Sequence, residues 1–342
     1  MTDFLKGKRV LVTGVCGTVG RAITDKLISG QFGDLKEFVG IDNNESELFF
    51  VEQEYGSERA HFFLRDLRDY RGIREVCHGV DIIFHTAALK HVGICEKSPA
   101  EAVQTNIDGL QNLIRAAQRC EIERFIFTSS DKAVNPTNVM GTSKLMGERL
   151  VTAANNSREN KGTVFTSTRF GNVLGSRGSV VPIFKNQILN GKDITLTSRE
   201  MTRFVMTISE AADLVIESSA LAKGGEVFIT KMPVIRIEDL GQVMIDVLAG
   251  EVDADKRTKI HEIGVKPGEK LYEELMSEEE TSRAIETEDY FVVLPAFRDL
   301  YPVEYVYQGM KDAPVLKPYK SSEEELLTPE TLKSYLLKHD II

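Results

Sequence analysis

RVLVTGVCGTVG (residues 9–20) decides the fold. An apolar run ends at Thr13, and Gly14, Gly17 and Gly20 follow at GxxGxxG spacing, opening into a helix-like stretch. A strand that turns at once into a helix needs glycine where the backbone doubles back, and backbone N–H groups approach a diphosphate closely only where no Cβ intervenes. The positive end of the helix then faces the anion. Thr18 and Val19 lie inside the same turn and join the glycines as candidate dinucleotide contacts.

Outward from this turn the first half of the chain alternates. Short apolar runs recur at 37–42, 61–66, 81–88 and 124–130, with amphipathic stretches between them; in one, Leu110, Leu113, Ile114 and Ala117 share a helix face. Strands without polar alternation, joined by helices, predict an α/β protein with a doubly wound parallel sheet. Asp42 closes the second strand about 20 residues past the last glycine, where a carboxylate holds the adenosine ribose. Asn43, Asn44 and Glu45 follow, with no cation for a 2′-phosphate, so NAD is expected over NADP. Asp66 and Leu67, at the end of the third strand, are placed at the adenine, and Ala87 at the end of the fourth. Past residue 175 the pattern breaks into Gly, Pro and charges, and it returns to strand at EVFIT (226–230). We therefore assign 1–174 plus about 205–230 to a Rossmann-like NAD-binding domain, and about 175–204 plus 231–342 to a smaller lobe.

Of the 342 residues, 52 are acidic and 42 basic, a formal net charge of −10 that argues against nucleic acid or an anionic membrane surface as partner. Cys16, Cys77, Cys95 and Cys120 form no CxxC pair and no metal spacing, so no metal site is expected and the thiols read as reduced. The N-terminus is no signal peptide, and no apolar run reaches membrane-spanning length. A cytoplasmic location without membrane insertion is expected.

HTAALKHV (85–92), TN (105–106), TSSDKAVNPTNVMGTSK (128–144), FGNVLGSRGSVVPIF (170–184), MTRF (201–204) and KPGEKLYEEL (266–275) follow in order. With the glycine turn, this series resembles the bacterial UDP-N-acetylglucosamine 4,6-dehydratases of the extended short-chain dehydrogenase/reductase type, which serve surface-glycan synthesis. Most of that superfamily places a Tyr four residues before a Lys on one helix. Here Lys144 is present and the Tyr position is Met140. A thioether does not accept an alcohol proton. A subset of the dehydratases shares this methionine, so the base for the sugar 4-hydroxyl stays unassigned. Tyr307 and Lys311 repeat the YxxxK spacing far from the fifth strand and are treated as chance.

The resemblance implies three steps: hydride leaves carbon 4 for NAD⁺, water is eliminated across carbons 5 and 6, and hydride returns to carbon 6. By the same resemblance Lys132 is the carbon-5 base, Asp131 the acid for the departing 6-hydroxyl, Ser130 the group orienting the 4-hydroxyl, and Lys144 the holder of the nicotinamide ribose. The roles require a lowered Lys132 pKa and a raised Asp131 pKa. Lys90 is expected at substrate or cofactor phosphates, and Asn106 beside Lys144 or a water. His85 and His91 are expected to be scaffold. Asn172, Arg177 and Arg203 are candidates for the diphosphate, Glu269 for the nucleotide ribose, and Val180, Pro182 and Phe184 for a ledge under the base, with Thr202 alongside. The expected substrate is UDP- or GDP-N-acetylglucosamine, with configuration at carbon 5 retained because the inverting relatives usually carry an Arg-containing NADP site. Rival readings are an inverting dehydratase/5-epimerase, a 4-epimerase, and a non-catalytic NAD-binding scaffold. KHV is followed by Gly93 where the family commonly has proline. A homo-oligomer, a dimer or higher, is expected, with helices near 108–119 and 142–155 pairing copies as in relatives.

Overall fold

The computed structural model describes residues 3–248, 258–264, 268–297 and 303–342. Sixteen strands are found among them: β1 Arg9–Thr13, β2 Glu37–Asp42, β3 Ala60–Leu64, β4 Ile82–His85, β5 Arg124–Thr128, β6 Val164–Arg169, β7 Asn172–Val173, β8 Ile194–Leu196, β9 Thr202–Met206, β10 Val227–Thr230, β11 Val234–Arg236, β12 Ile260–Glu262, β13 Glu274–Met276, β14 Ala284–Glu286, β15 Tyr290–Val293 and β16 Tyr319–Lys320. Nine form the main sheet, in the order β14-β15-β10-β6-β5-β4-β1-β2-β3. From β3 to β10 every pairing is parallel.

Past a half-buried first residue in β1 and β5, the central strands are buried because both faces are covered. Side chains alternate across the pleat. Val10, Val12, Ile82, Phe84 and Ile126 join one core with Ile23, Leu27 and Val215 from the helices Thr18–Ile28 and Ile208–Leu221. Leu11, Ile83, Phe125 and Phe127 join the other with Leu110, Leu113 and Val151 from the helices Gly109–Arg119 and Val139–Asn155. The chain winds outward from β1 to β3, then crosses back to β4 on the other side of β1. That reversal opens a crevice at the C-terminal ends of β1 and β4, the usual ligand position in such sheets.

Residues 284–293 fall in the stretch expected to form the lobe, yet β15 pairs antiparallel with β10 and β14 with β15, extending the main sheet. The rest of the lobe has its own core, where Val181, Phe184 and Ile188 meet Ile194, Leu196, Leu240, Leu332 and Leu336.

Candidate active site

The glycine turn fits a dinucleotide diphosphate. Gly14 sits at φ +74°, and a Cβ there would stand 2.8 Å from the Ala87 backbone; one on Gly20 would stand 2.1 Å from the Gly14 carbonyl oxygen. Helix Thr18–Ile28 begins after Gly17 with no side-chain cap, which leaves its first N–H groups for an anion. Asp42 accepts from the N–H of Cys16 (3.1 Å) and of Asn44 (3.0 Å), which fixes its carboxylate at the rim of the crevice. Burial, with the Asp42 carboxylate adding to it, pushes the Cys16 thiol up to about 12, so the thiol stays neutral.

One cleft of about 690 Å³ runs from this turn to the end of β5, and Val19, Leu67, Ser130, Lys132, Met140, Lys144, Asn172 and Val180 all border it. Its adenosine end holds one residue that was expected and one that was not. Asp66 borders the cleft and is held there by Arg68, whose Nη2 and Nε donate to it at 2.6 and 3.0–3.1 Å. A cation does border this end: Arg65, just past β3, lines the cleft alongside Asp42.

At the other end the helix Val139–Asn155 carries Lys144. Asn138 caps it by accepting from the Gly141 N–H at 2.8 Å, and a Cβ on Gly141 would lie 2.2 Å from the Lys132 carbonyl oxygen. The Met-Gly pair thus presses the helix start onto the loop after β5. Lys144 Nζ donates to the Thr128 carbonyl at 2.8 Å, and burial lowers its pKa to about 8. Met140 packs with Cys95 and Ala102. Asn106 does not reach Lys144. It accepts from the Leu89 N–H and donates to the Leu89 carbonyl and to Ser143 Oγ, all within 3.0 Å, and so braces the wall instead of facing the cofactor. His85 is buried, bonded to Thr13 Oγ1 at 2.7 Å, and held neutral by burial, with Lys144 adding to the effect; its pKa falls to about 3.

Ser130, Asp131 and Lys132 follow β5 as a linked set. Ser130 Oγ donates to Asp131 Oδ1 at 2.7 Å, and Lys132 Nζ donates to the same oxygen at 2.9 Å. Asp131 is fully buried behind its two neighbours, with Oδ2 unpartnered. Lys132 Nζ also lies 3.5 Å from Glu273 Oε1 and 3.4 Å from Asn172 Oδ1. Burial draws the Lys132 pKa down, but the Asp131 and Glu273 carboxylates outweigh it and the net direction is up. The expected depression is therefore corrected: a second carboxylate, invisible at Lys132 in the sequence, holds the amine as a cation.

Glu273 arrives because the segment around it docks on the loop after Lys132. Thr137 and Asn138 donate to the Gly268 carbonyl, Lys270 Nζ donates to the Val134 carbonyl, and Asn135 Nδ2 bonds Glu274. Glu269 accepts from Thr197 Oγ1 at 3.0 Å. Lys266 and Pro267 of the same motif lie outside the described residues.

Several expected substrate contacts are placed elsewhere. Arg203 is buried, and its guanidinium donates to the carbonyls of Thr202, Lys270 and Leu271 with Glu273 at 3.7 Å, so it builds the site wall rather than clamping a diphosphate. Thr202 is paired with Ser321 Oγ. Phe184 belongs to the lobe core. Pro182 faces a second, smaller pocket beside His339 and Asp340. Arg177 crosses the cofactor side instead: its N–H meets Thr18 Oγ1 at 3.4 Å, its Nη1 meets Glu47 at 2.9 Å, and its carbonyl accepts from Lys90 Nζ at 3.0 Å. Burial and then Arg177 lower the Lys90 pKa. His91, by contrast with His85, borders the cleft, and a Cβ on Gly178 would lie 2.8 Å from its ring.

A glycine turn at the switch point and a buried lysine helix beside β5 define an extended short-chain dehydrogenase/reductase. The chain belongs to the polysaccharide biosynthesis protein family, whose model matches residues 10–295. It is 46% identical to an uncharacterized membrane protein of Methanocaldococcus jannaschii, over 98% of this chain and 97% of that one. It is 37% identical to a UDP-glucose 4-epimerase of Rickettsia conorii over the same shares. The crystal structure of Pen from Bacillus thuringiensis matches at a TM-score of 0.89 and 39% identity, with 99% of each chain covered. A dTDP-glucose 4,6-dehydratase structure holding NAD, at 21% identity, shares the fold. Among the described residues no helix is long and apolar enough to cross a membrane.

Proposed function

We propose that the protein is a nucleotide-sugar 4,6-dehydratase that uses NAD, takes UDP- or GDP-N-acetylglucosamine to the 4-keto-6-deoxy sugar, and retains configuration at carbon 5. The observation that carries this reading is the bonded Ser130–Asp131–Lys132 set at the end of β5, bordering a cleft in which Met140 stands at the tyrosine position. When bound, NAD supplies the hydride acceptor at carbon 4 and the donor at carbon 6. The glycine turn and the first N–H groups of helix Thr18–Ile28 hold its diphosphate, and Asp42 its ribose. Lys144 braces the nicotinamide end.

Lys132 takes the proton from carbon 5, which the 4-ketone has acidified. Asp131 does not border the cleft, so its proton reaches the 6-hydroxyl through Ser130 Oγ, bonded to it at 2.7 Å. Passage of one proton along the Lys132–Asp131 hydrogen bond produces the neutral amine and the neutral acid together, with no change in net charge. That exchange reconciles a lysine held as a cation with its use as a base.

A second reading, a 4-epimerase, is favoured by the Rickettsia relative. Both reactions release the 4-hydroxyl proton to an acceptor that Met140 does not provide, so what separates them is the acid–base pair at carbons 5 and 6, for which an epimerase has no use. Proton NMR of UDP- and GDP-N-acetylglucosamine reactions in heavy water separates the two. A 6-deoxy-4-keto product with deuterium at carbon 5 is expected. A 4-epimer with every carbon-bound proton kept would establish the other reading.

A further inference from the structure

Glu273 lies 141 positions from Lys132 along the chain, yet their charged groups stand 3.5 Å apart. It is a buried carboxylate on the segment that precedes β13, and it faces Lys132, Asp131, Arg203 and Lys270. Oε1 lies near both Lys132 Nζ and Arg203 Nε (3.7 Å), while Oε2 is buried without a partner. Arg203 is itself fixed by three backbone carbonyls, and it meets Glu273 at the same oxygen that faces Lys132. Burial pushes the Glu273 carboxyl up and Asp131 adds to that, while Lys132, Arg203 and Lys270 oppose it. The same geometry gives Lys132 two carboxylates to lean on, of which only Asp131 is adjacent in sequence.

We propose that Glu273 is a positioning residue for the reaction: with Asp131 it holds the Lys132 amine at the cleft wall and governs its charge. Glu273 has no contact with reacting atoms. It acts through Lys132, and Arg203 acts through Glu273. The inference rests on the reading of Lys132 as the carbon-5 base, and its test is chosen to stand apart from that reading.

The test is the rate at which an amine-arylating reagent, trinitrobenzenesulfonate, labels Lys132 in the full chain as pH is varied, with the site located by peptide mass spectrometry. An opposite charge within about 4–6 Å typically moves a pKa by about 1–3 units. Glu273→Gln should therefore shift the Lys132 labelling curve about 1–3 units to lower pH, and Glu273→Asp should stay near the parent. In turnover, the alkaline limb of the kcat profile should move the same way in Glu273→Gln, with KM for the nucleotide sugar little changed. A Glu273→Gln protein that binds NAD normally but labels on the parent curve overturns the proposal, whatever the reaction proves to be. A shifted labelling curve in an enzyme whose Lys132→Ala variant still eliminates water would instead support the role of Glu273 and refute the base assignment.

Discussion

Lys132 and Met140 flank the same cleft with opposite chemistry, one able to move a proton and the other not. Lys132→Ala should abolish elimination by about 10²–10⁴-fold while cofactor binding persists, and Met140→Leu, a near-isosteric change in a packed cluster with Cys95 and Ala102, should cost far less. Product formation by NMR, alongside NADH absorbance, checks both; a dead Met140→Leu beside a working Lys132→Ala would put the chemistry on the wrong residues. At the far end of the cleft, NAD should bind well ahead of NADP because Asp42 repels a 2′-phosphate, and Asp42→Gly should narrow the gap, with Arg65 the cation that then faces the extra phosphate. Titration of both cofactors into stripped protein tests this, and equal affinities in the parent would refute it. Arg65 shows where residue-scale reading stopped: a scan of the positions after Asp42 cannot see a side chain delivered by the neighbouring strand. Glu273 and Arg203 show the same limit. Their roles arise from a docking between segments far apart in sequence, so a motif match put Arg203 at a diphosphate and passed over Glu273, although both stood in strings that had drawn attention.

Elements were legible where periodicity was strong. The strands β1 to β5 and the helix holding Leu110, Leu113 and Ile114 follow from short apolar runs and a one-sided helical stripe. β14 and β15 were not: they are short strands in an acidic stretch, and only the pairing of β15 with β10, and of β14 with β15, makes them sheet. One connection between elements was equally hidden. Arg169, at the end of β6, is buried between Glu148 on the Lys144 helix (2.6 Å) and Glu280 just beyond β13 (3.0 Å). It thereby ties the helix that carries Lys144 to the segment that carries Glu273. Burial would raise the Glu280 pKa, but Arg169 outweighs it and the value falls from 4.5 to about 2. Because the folded value lies below the unfolded one, the unfolded chain binds more protons between them. The stabilisation is complete above about pH 4.5 and is lost as pH falls towards 2. Glu280→Gln should cost about 3–5 kcal/mol near neutrality by leaving Arg169 half-compensated. The gap to the parent should shrink at about pH 3. Urea midpoints at both pH values measure it, and a gap that does not change with pH would show that the pair contributes no linkage.

At the scale of the molecule, the parallel sheet with its switch-point crevice was readable from strand–helix alternation, because burial on both faces leaves the same signature in every central strand. How the lobe's separate segments join β10 was not, since short strands such as β8 and β12 find partners only across the fold. The same global view bears on assembly. Helices Gly109–Arg119 and Val139–Asn155 cover one face of the sheet, and nearby Ile94, Val103 and Met146 remain exposed at 58, 43 and 46%. Large apolar side chains grouped on helices of one face favour a contact with another chain. A second copy meeting the same helices through a two-fold axis would be self-complementary, which is the usual solution for soluble enzymes. The expected outcome in light scattering at micromolar concentration is twice the monomer mass, and Met146→Glu, which places a charge in such a contact without touching either sheet core, should return the monomer mass with the thermal midpoint of the fold largely kept. The parent chain running as a monomer at that concentration would refute the dimer. A dimer that survives Met146→Glu would place the contact on another face.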